Sequence, residues 1–355
     1  MRRILLLLSA LLAPPALGQQ APLPPDLGAR VAAAYVEPAV AGFEAAATDL
    51  AADVEALCAA PSEAGLAAAR DGFAGLVGAW GRLSVLRFGP LVSDNRFETI
   101  FFWPDPRGVT LRQVQAALAE DDPAVADPAH LAGKSVALQN LLALEYLLAG
   151  TDAALLAQGE DAHRCRYAHA AALVLRDQAR AVAAGWSGAA PIGASFRHPG
   201  PDGYFRTPRE VLGELVKAWL TTVDYVRSAE LLPPMGESIA AARGRRAPLW
   251  RSDLTFTLIG AQLAGLIDLL DATGLGGTLT GAAATPFNNL RSDLVRAAHA
   301  LAAIDAPAEA AFADPAIRSR LDYAALLLGY ASTTIGGDLT AALGLTMGFN
   351  ALDGD

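Results

Sequence analysis

Residues 135–150, SVALQNLLALEYLLAG, read as an almost wholly apolar helix with one carboxylate, Glu145, set among Leu138, Leu141, Leu142 and Leu148. A segment of this kind belongs in a core, and a buried carboxylate without a partner is too costly to keep. The chain must therefore fold so that another segment reaches Glu145. The sequence offers two kinds of partner. One is an arginine, Arg87, Arg96 or Arg251, in a structural ion pair. The other is a metal or polar ligand for which Glu145 is the anionic end.

Apolar residues recur at helical spacing through the rest of the chain. Tyr35, Phe43, Leu50, Val54 and Leu57 mark a helix from Gly28 to Cys58. Phe73, Leu76, Val77, Trp80, Leu83, Ser84 and Arg87 mark the next, over 63–87, which puts Arg87 on or beside the apolar face. Further helices are expected over 109–120, 131–149, 160–186, 209–231, 250–272, 287–303 and 316–331, with a last segment near 338–349. Alanine, the best helix former, dominates and long β-branched runs are absent. The expected class is all-α, two related helical bundles packed together. The bundles are expected over 28–188 and 209–350. Between them, the Gly- and Pro-rich residues 189–208 read as a linker.

The N-terminus carries a basic n-region at Arg2 and Arg3, an apolar run over 4–13 and small residues at Ala16 and Gly18. This is the pattern of a secretory signal peptide, residues 1–18, followed by a flexible start over 19–27. The periplasm is the expected address. The apolar run 254–270 comes closest to a membrane span, but Gln262 and Asp268 interrupt it, so no transmembrane segment is expected after signal removal. A net charge of −10 argues against nucleic acid or an anionic membrane as partner, because both need a basic face. Cys58 and Cys165 are the two cysteines, and in an oxidising compartment they point to one disulfide.

Candidate binding groups cluster in three places. The loop 88–108, FGPLVSDNRFETIFFWPDPRG, brings Arg96, Trp103 and Asp105 together on an irregular segment of the kind that often carries sites. The apolar helix brings Asn140 and Glu145. The stretch 249–257, LWRSDLTFT, brings Arg251, able to reach a buried carboxylate, and Ser252 or Asp253 as a helix cap. Catalytic signatures are missing. There is no HExxH, no GxSxG, and GLGGT at 274–278 lacks the phosphate-loop lysine.

The order of Trp80 to Pro90 (WxxxxxxxFGP), FFWPDP at 101–106, LLALEYLLAG at 141–150, RCRYAHAAAL at 164–173 and RRAPLWRSDL at 245–254 resembles the imelysin-like proteins. That resemblance implies an exported two-bundle helical protein with a link to iron, from a family named after a reported peptidase. Its characteristic GxHxxE motif, a proposed metal site, falls here on Asn140 to Glu145, with Leu142 at the histidine position. Leucine cannot ligate a metal, and a lone carboxylate is a poor ligand set. The expectation is therefore a non-enzymatic protein of the cell envelope that binds a small ligand or an envelope protein. Glu145 would be its central anion, paired with Arg87, Arg96 or Arg251, and Trp103 would wall the pocket. No cofactor is certain, and iron or another divalent metal at Glu145 stays open. The alternatives are a metal-dependent peptidase and a structural envelope scaffold.

Overall fold

The computed structural model describes residues 23–345; the expected signal peptide and the final residues lie outside this range. Helices and turns account for the described residues, with no strand among them. Helix α1 covers residues 27–59 as Leu27–Val31, a wide π-turn at Ala32–Val36, and Glu37–Ala59. Helix α2, Glu63–Leu83, starts where the Ser62 hydroxyl accepts the Gly65 N–H at 3.1 Å. After the aromatic loop come α3 (Val109–Ala119), α4 (Leu141–Ala149) and α5 (Ala162–Trp186). The second half holds α6 (Pro208–Tyr225), α7 (Thr255–Ala272), α8 (Ala284–Ala302) and α9 (Pro315–Thr334). A second π-turn, Val226–Leu231, extends α6.

Packing runs from helix to helix across the molecule. Helix α1 lies between α5 and α2, α2 meets α7, α7 meets α8, α8 meets α9, and α9 returns to α6; α4 rests on α5. The fold is all-α, and its apolar side chains form one continuous core from Leu27 to Leu343. The α2–α7 crossing joins the two halves closely. A Cβ on Gly81 would stand 2.6 Å from the Ala261 Cβ, and one on Gly265 would stand 2.6 Å from the Tyr35 hydroxyl. By length and composition α7 could cross a membrane. In the fold it lies between α2 and α8, with Gln262 turned to a buried partner and Asp268 paired with Arg82.

Local chemistry moves two boundaries. The helix expected over 131–149 is interrupted: Pro128–Ala132 and a 3-10 turn at Val136–Leu138 precede α4. Asn140 is extended, and its side-chain oxygen accepts the N–H groups of Leu142 and Ala143 at 2.7 and 3.1 Å, so the helix begins there. In the Gly- and Pro-rich stretch 189–208, a helix forms at Pro191–Arg197, and Phe196 and Phe205 are buried. The Phe196 ring packs on Phe88, Trp186 and Phe205. Cys58, at the end of α1, is bonded to Cys165 near the start of α5, closing a loop with a sequence separation of 107.

Candidate functional site

Glu145 sits in the middle of α4 and is 1% exposed. Its partners come from the turn that leads into α7. The main-chain N–H groups of Arg251 and Ser252 donate to Oε1 at 2.8 and 3.1 Å, and the Ser252 hydroxyl stands 3.1 Å from the same oxygen. No hydrogen bond reaches Oε2 from the described residues. Two consecutive N–H groups aimed at one anion form a backbone nest, here filled by the protein's own carboxylate. The turn has an unusual shape. Leu249 and Asp253, on either side of the donors, both have positive φ, 54° and 57°. A leucine in the left-handed region costs about 1–2 kcal/mol, so the surrounding contacts must hold it there. Two of them are the Leu254 N–H donating to the Leu249 carbonyl at 3.1 Å and the Thr255 hydroxyl donating to the Pro248 carbonyl at 2.5 Å.

Burial pushes the Glu145 carboxyl up; the Arg251 charge, the two N–H groups and the Ser252 hydroxyl pull it back without cancelling that rise. Arg251 acts through its main chain and its field, not as a direct ion pair. Its guanidinium carbon lies 4.5 Å from the Trp250 ring centroid and 5.7 Å from that of Tyr146. Among the described residues that guanidinium makes no hydrogen bond. The site thus offers one carboxylate oxygen and one planar cation whose bonding capacity is unspent.

The other expected residues fall elsewhere. Arg87 does not meet Glu145: its guanidinium is stacked between Phe97 and Tyr225, 4.2 and 3.9 Å from the ring centroids. Arg96 is spent on its own loop, donating to the carbonyls of Pro90 and Ser93 at 3.2 and 3.1 Å and to Asp94 at 2.7 Å. Asp105 caps α3 through the N–H groups of Val109 and Thr110, both at 2.8 Å. Trp103 ties the loop to the second half. Its indole donates to the Ala229 carbonyl at 3.1 Å, and its own carbonyl accepts the Tyr225 hydroxyl at 2.6 Å. Asn140 caps α4, and the cap position of α7 belongs to Leu254, so neither Ser252 nor Asp253 caps that helix. Ser252 instead serves Glu145.

A metal does not fit the residues at Glu145. Leu142, one turn before Glu145, offers no ligand, Oε1 already accepts three donors, and no three His, Cys, Asp or Glu side chains converge among the described residues. Another carboxylate is as deeply buried as Glu145 and lies outside the groups that the sequence points to. Glu230, in the π-turn after α6, is 0% exposed and accepts the Gln262 amide N–H at 3.1 Å. Its signal was the one that exposed Glu145, a lone carboxylate between Ala229 and Leu231–Leu232.

Comparison with known proteins gives the arrangement a lineage. Among solved structures, an imelysin-like protein from Psychrobacter arcticum 273-4 superposes with a TM-score of 0.76 at 21% identity, covering 93% of this chain and 99% of that one. A protein provisionally named iron-regulated protein A precursor, from Parabacteroides distasonis ATCC 8503, superposes with a TM-score of 0.72 at 13% identity, over 92% of this chain and 97% of that one. No curated protein matches. At these identities the superpositions establish the shared all-α fold. The sequence profile of imelysin, Peptidase M75, matches residues 33–334, nearly the whole of the described helical structure. By that match this chain belongs to the imelysin family.

Proposed function

We propose that the protein is an exported, non-enzymatic binding protein of the cell envelope that works within an iron-related pathway and takes its ligand or partner at the Glu145–Arg251–Ser252 site. The observation that carries this reading is the division of labour at the site. Three donors fix Glu145 through Oε1 alone, while Oε2 and the Arg251 guanidinium, stacked on Trp250, keep their bonding capacity. A cation stacked on an aromatic ring beside a fixed carboxylate suits recognition of a group that can meet both charges. It does not supply the activated water of a metallopeptidase, and Leu142 offers no ligand to build one. Export is supported by the signal-like N-terminus and the Cys58–Cys165 disulfide. The iron link rests on family membership and on the iron-regulated description of one structural neighbour.

The test is a thermal-shift survey of the mature, untagged protein with iron salts, ferric chelates of siderophore type and small peptides, with elemental analysis alongside. The expected result is a compound that raises the melting temperature of the wild type and fails to do so for Arg251→Ala. Absence of any shift, together with peptide hydrolysis abolished by a chelator and by Glu145→Ala, would establish the peptidase instead.

A further inference from the structure

Away from the Glu145 site, the second half carries a solvent-accessible groove between α8 and the C-terminal end of α9, where a third π-turn, Ile335–Leu339, extends α9. Widened turns of this kind recur at functional sites. The groove has a volume of about 480 Å³, within the range of small-molecule sites, roughly 300–1,000 Å³. Asn289, Asp293 and Arg296 of α8 line one side, and Tyr330, Thr334 and Gly337 line the other. Asp293 is 8% exposed, and its Oδ1 accepts the Arg296 guanidinium. No hydrogen bond reaches Oδ2 from the described residues, yet that oxygen is not sealed from solvent. Asn289 and Arg296 are exposed, and the Asn289 amide and the other N–H groups of Arg296 make no hydrogen bond among the described residues. Tyr330 lines the groove while 56% exposed.

We propose that the α8–α9 groove binds a neutral sugar of one or two pyranose rings, with a ring face on Tyr330 and its hydroxyls on Asp293, Asn289 and Arg296.

The argument rests on which ligand can use both kinds of surface at once. The charges in the groove are mixed. An anion would face Asp293 and Asp338, and a cation would face Arg296, so the lining favours a neutral guest. What the lining offers is hydrogen-bonding capacity of both signs: a carboxylate oxygen that only accepts, guanidinium N–H groups that only donate, and an amide that does both. A sugar hydroxyl also donates and accepts. Two neighbouring hydroxyls can therefore give a proton to Asp293 Oδ2 and accept one from Arg296, and hydrogen bonds to charged partners are the stronger ones. Tyr330 adds the part that a purely polar ligand cannot use. The face of its ring is electron-rich and apolar, and the C–H face of a pyranose is flat and weakly positive, so the two pack together. An open-chain polyol has the hydroxyls but no such face.

Calorimetric titration of the mature, untagged protein with maltose, with N,N′-diacetylchitobiose and with sorbitol tests this. Saturable binding of a disaccharide is expected at millimolar concentration or below, with none for sorbitol. Tighter binding of the acetylated disaccharide would assign the ring to cell-wall glycan, and tighter binding of maltose to a free sugar. Tyr330→Ala should weaken binding at least ~10-fold, and Tyr330→Phe, which keeps the ring, should not. A Cβ on Gly337 would meet nothing within 4 Å, so Gly337→Leu can fold while adding a side chain at the groove wall, and it too should weaken binding. Melting temperatures of the three variants report whether each is folded. The proposal is overturned if neither disaccharide binds saturably, if sorbitol binds as tightly as they do, or if folded Tyr330→Ala binds as the wild type does.

Discussion

At the scale of single residues, two buried carboxylates set the chemistry of this protein, and they differ in how they are satisfied. Glu145 anchors a strained turn by accepting main-chain donors. Glu145→Ala would leave the N–H groups of Arg251 and Ser252 without an acceptor, at about 1–3 kcal/mol for each buried group. Glu145→Gln keeps an oxygen at the Oε1 position and should lose less; chemical denaturation of the two variants measures the difference. Glu230 makes a different contribution. Its folded value near 8 lies above its ordinary 4.5, so the sign is that of a raised carboxylate. Its contribution to stability is complete below about pH 4.5 and is lost as pH rises towards 8. The wild-type denaturant midpoint should therefore decline across that window, and Glu230→Gln should remove Glu230's part of the decline. A stability curve for the variant as steep as the wild type's would contradict this. Glu145 was legible as a buried anion because it interrupts a leucine-rich run. Its partner was not, because main-chain N–H groups carry no mark in a sequence. Arg87 was legible as a cation needing company, but its company is two aromatic faces, and Phe97 is brought to it by a loop whose course the sequence does not specify.

At the scale of elements, helical spacing located the long helices well, and local chemistry decided their ends. The start of α4 at Leu141 follows from Asn140, whose side chain also donates to the Val136 carbonyl at 2.8 Å. Asn140→Ala should cost about 1 kcal/mol, the usual worth of such a cap. Hydropathy over 131–149 concealed this break, because apolar residues continue across it. The π-turns at Ala32–Val36 and Val226–Leu231 were equally hidden, since one extra residue in a turn barely disturbs an apolar stripe. The α2–α7 crossing makes its own prediction. Gly81→Ala would drive a methyl into the Ala261 Cβ at 2.6 Å and the Leu258 carbonyl at 2.9 Å. Overpacking of this kind costs about 1–3 kcal/mol, whereas the same change at Gly75, with nothing within 4 Å, should stabilise α2 through its helix propensity. Comparing the two melting temperatures separates crossing geometry from propensity.

At the scale of the molecule, the all-α class and the disulfide were both readable, the first from periodicity and the second from two cysteines in a chain with an export-like N-terminus. The contacts that join the two halves were not. They depend on glycines at a crossing and on the bonds of Trp103 to Ala229 and Tyr225, which only the folded arrangement reveals. Replacing Cys58 and Cys165 by serine should lower stability by about 2–5 kcal/mol, as expected for a long closed loop, and reductant should lower the wild-type melting temperature towards that of the variant. The same bond has a mechanical consequence. If the protein is pulled from its two ends, the 107-residue separation between Cys58 and Cys165 is a length that the chain cannot surrender, ~350 Å when extended. Glu145 lies within that locked loop and Arg251 and Ser252 lie outside it. Traction on the chain would thus draw the carboxylate and its donors apart while α4, tethered from both sides, stayed behind with its loop.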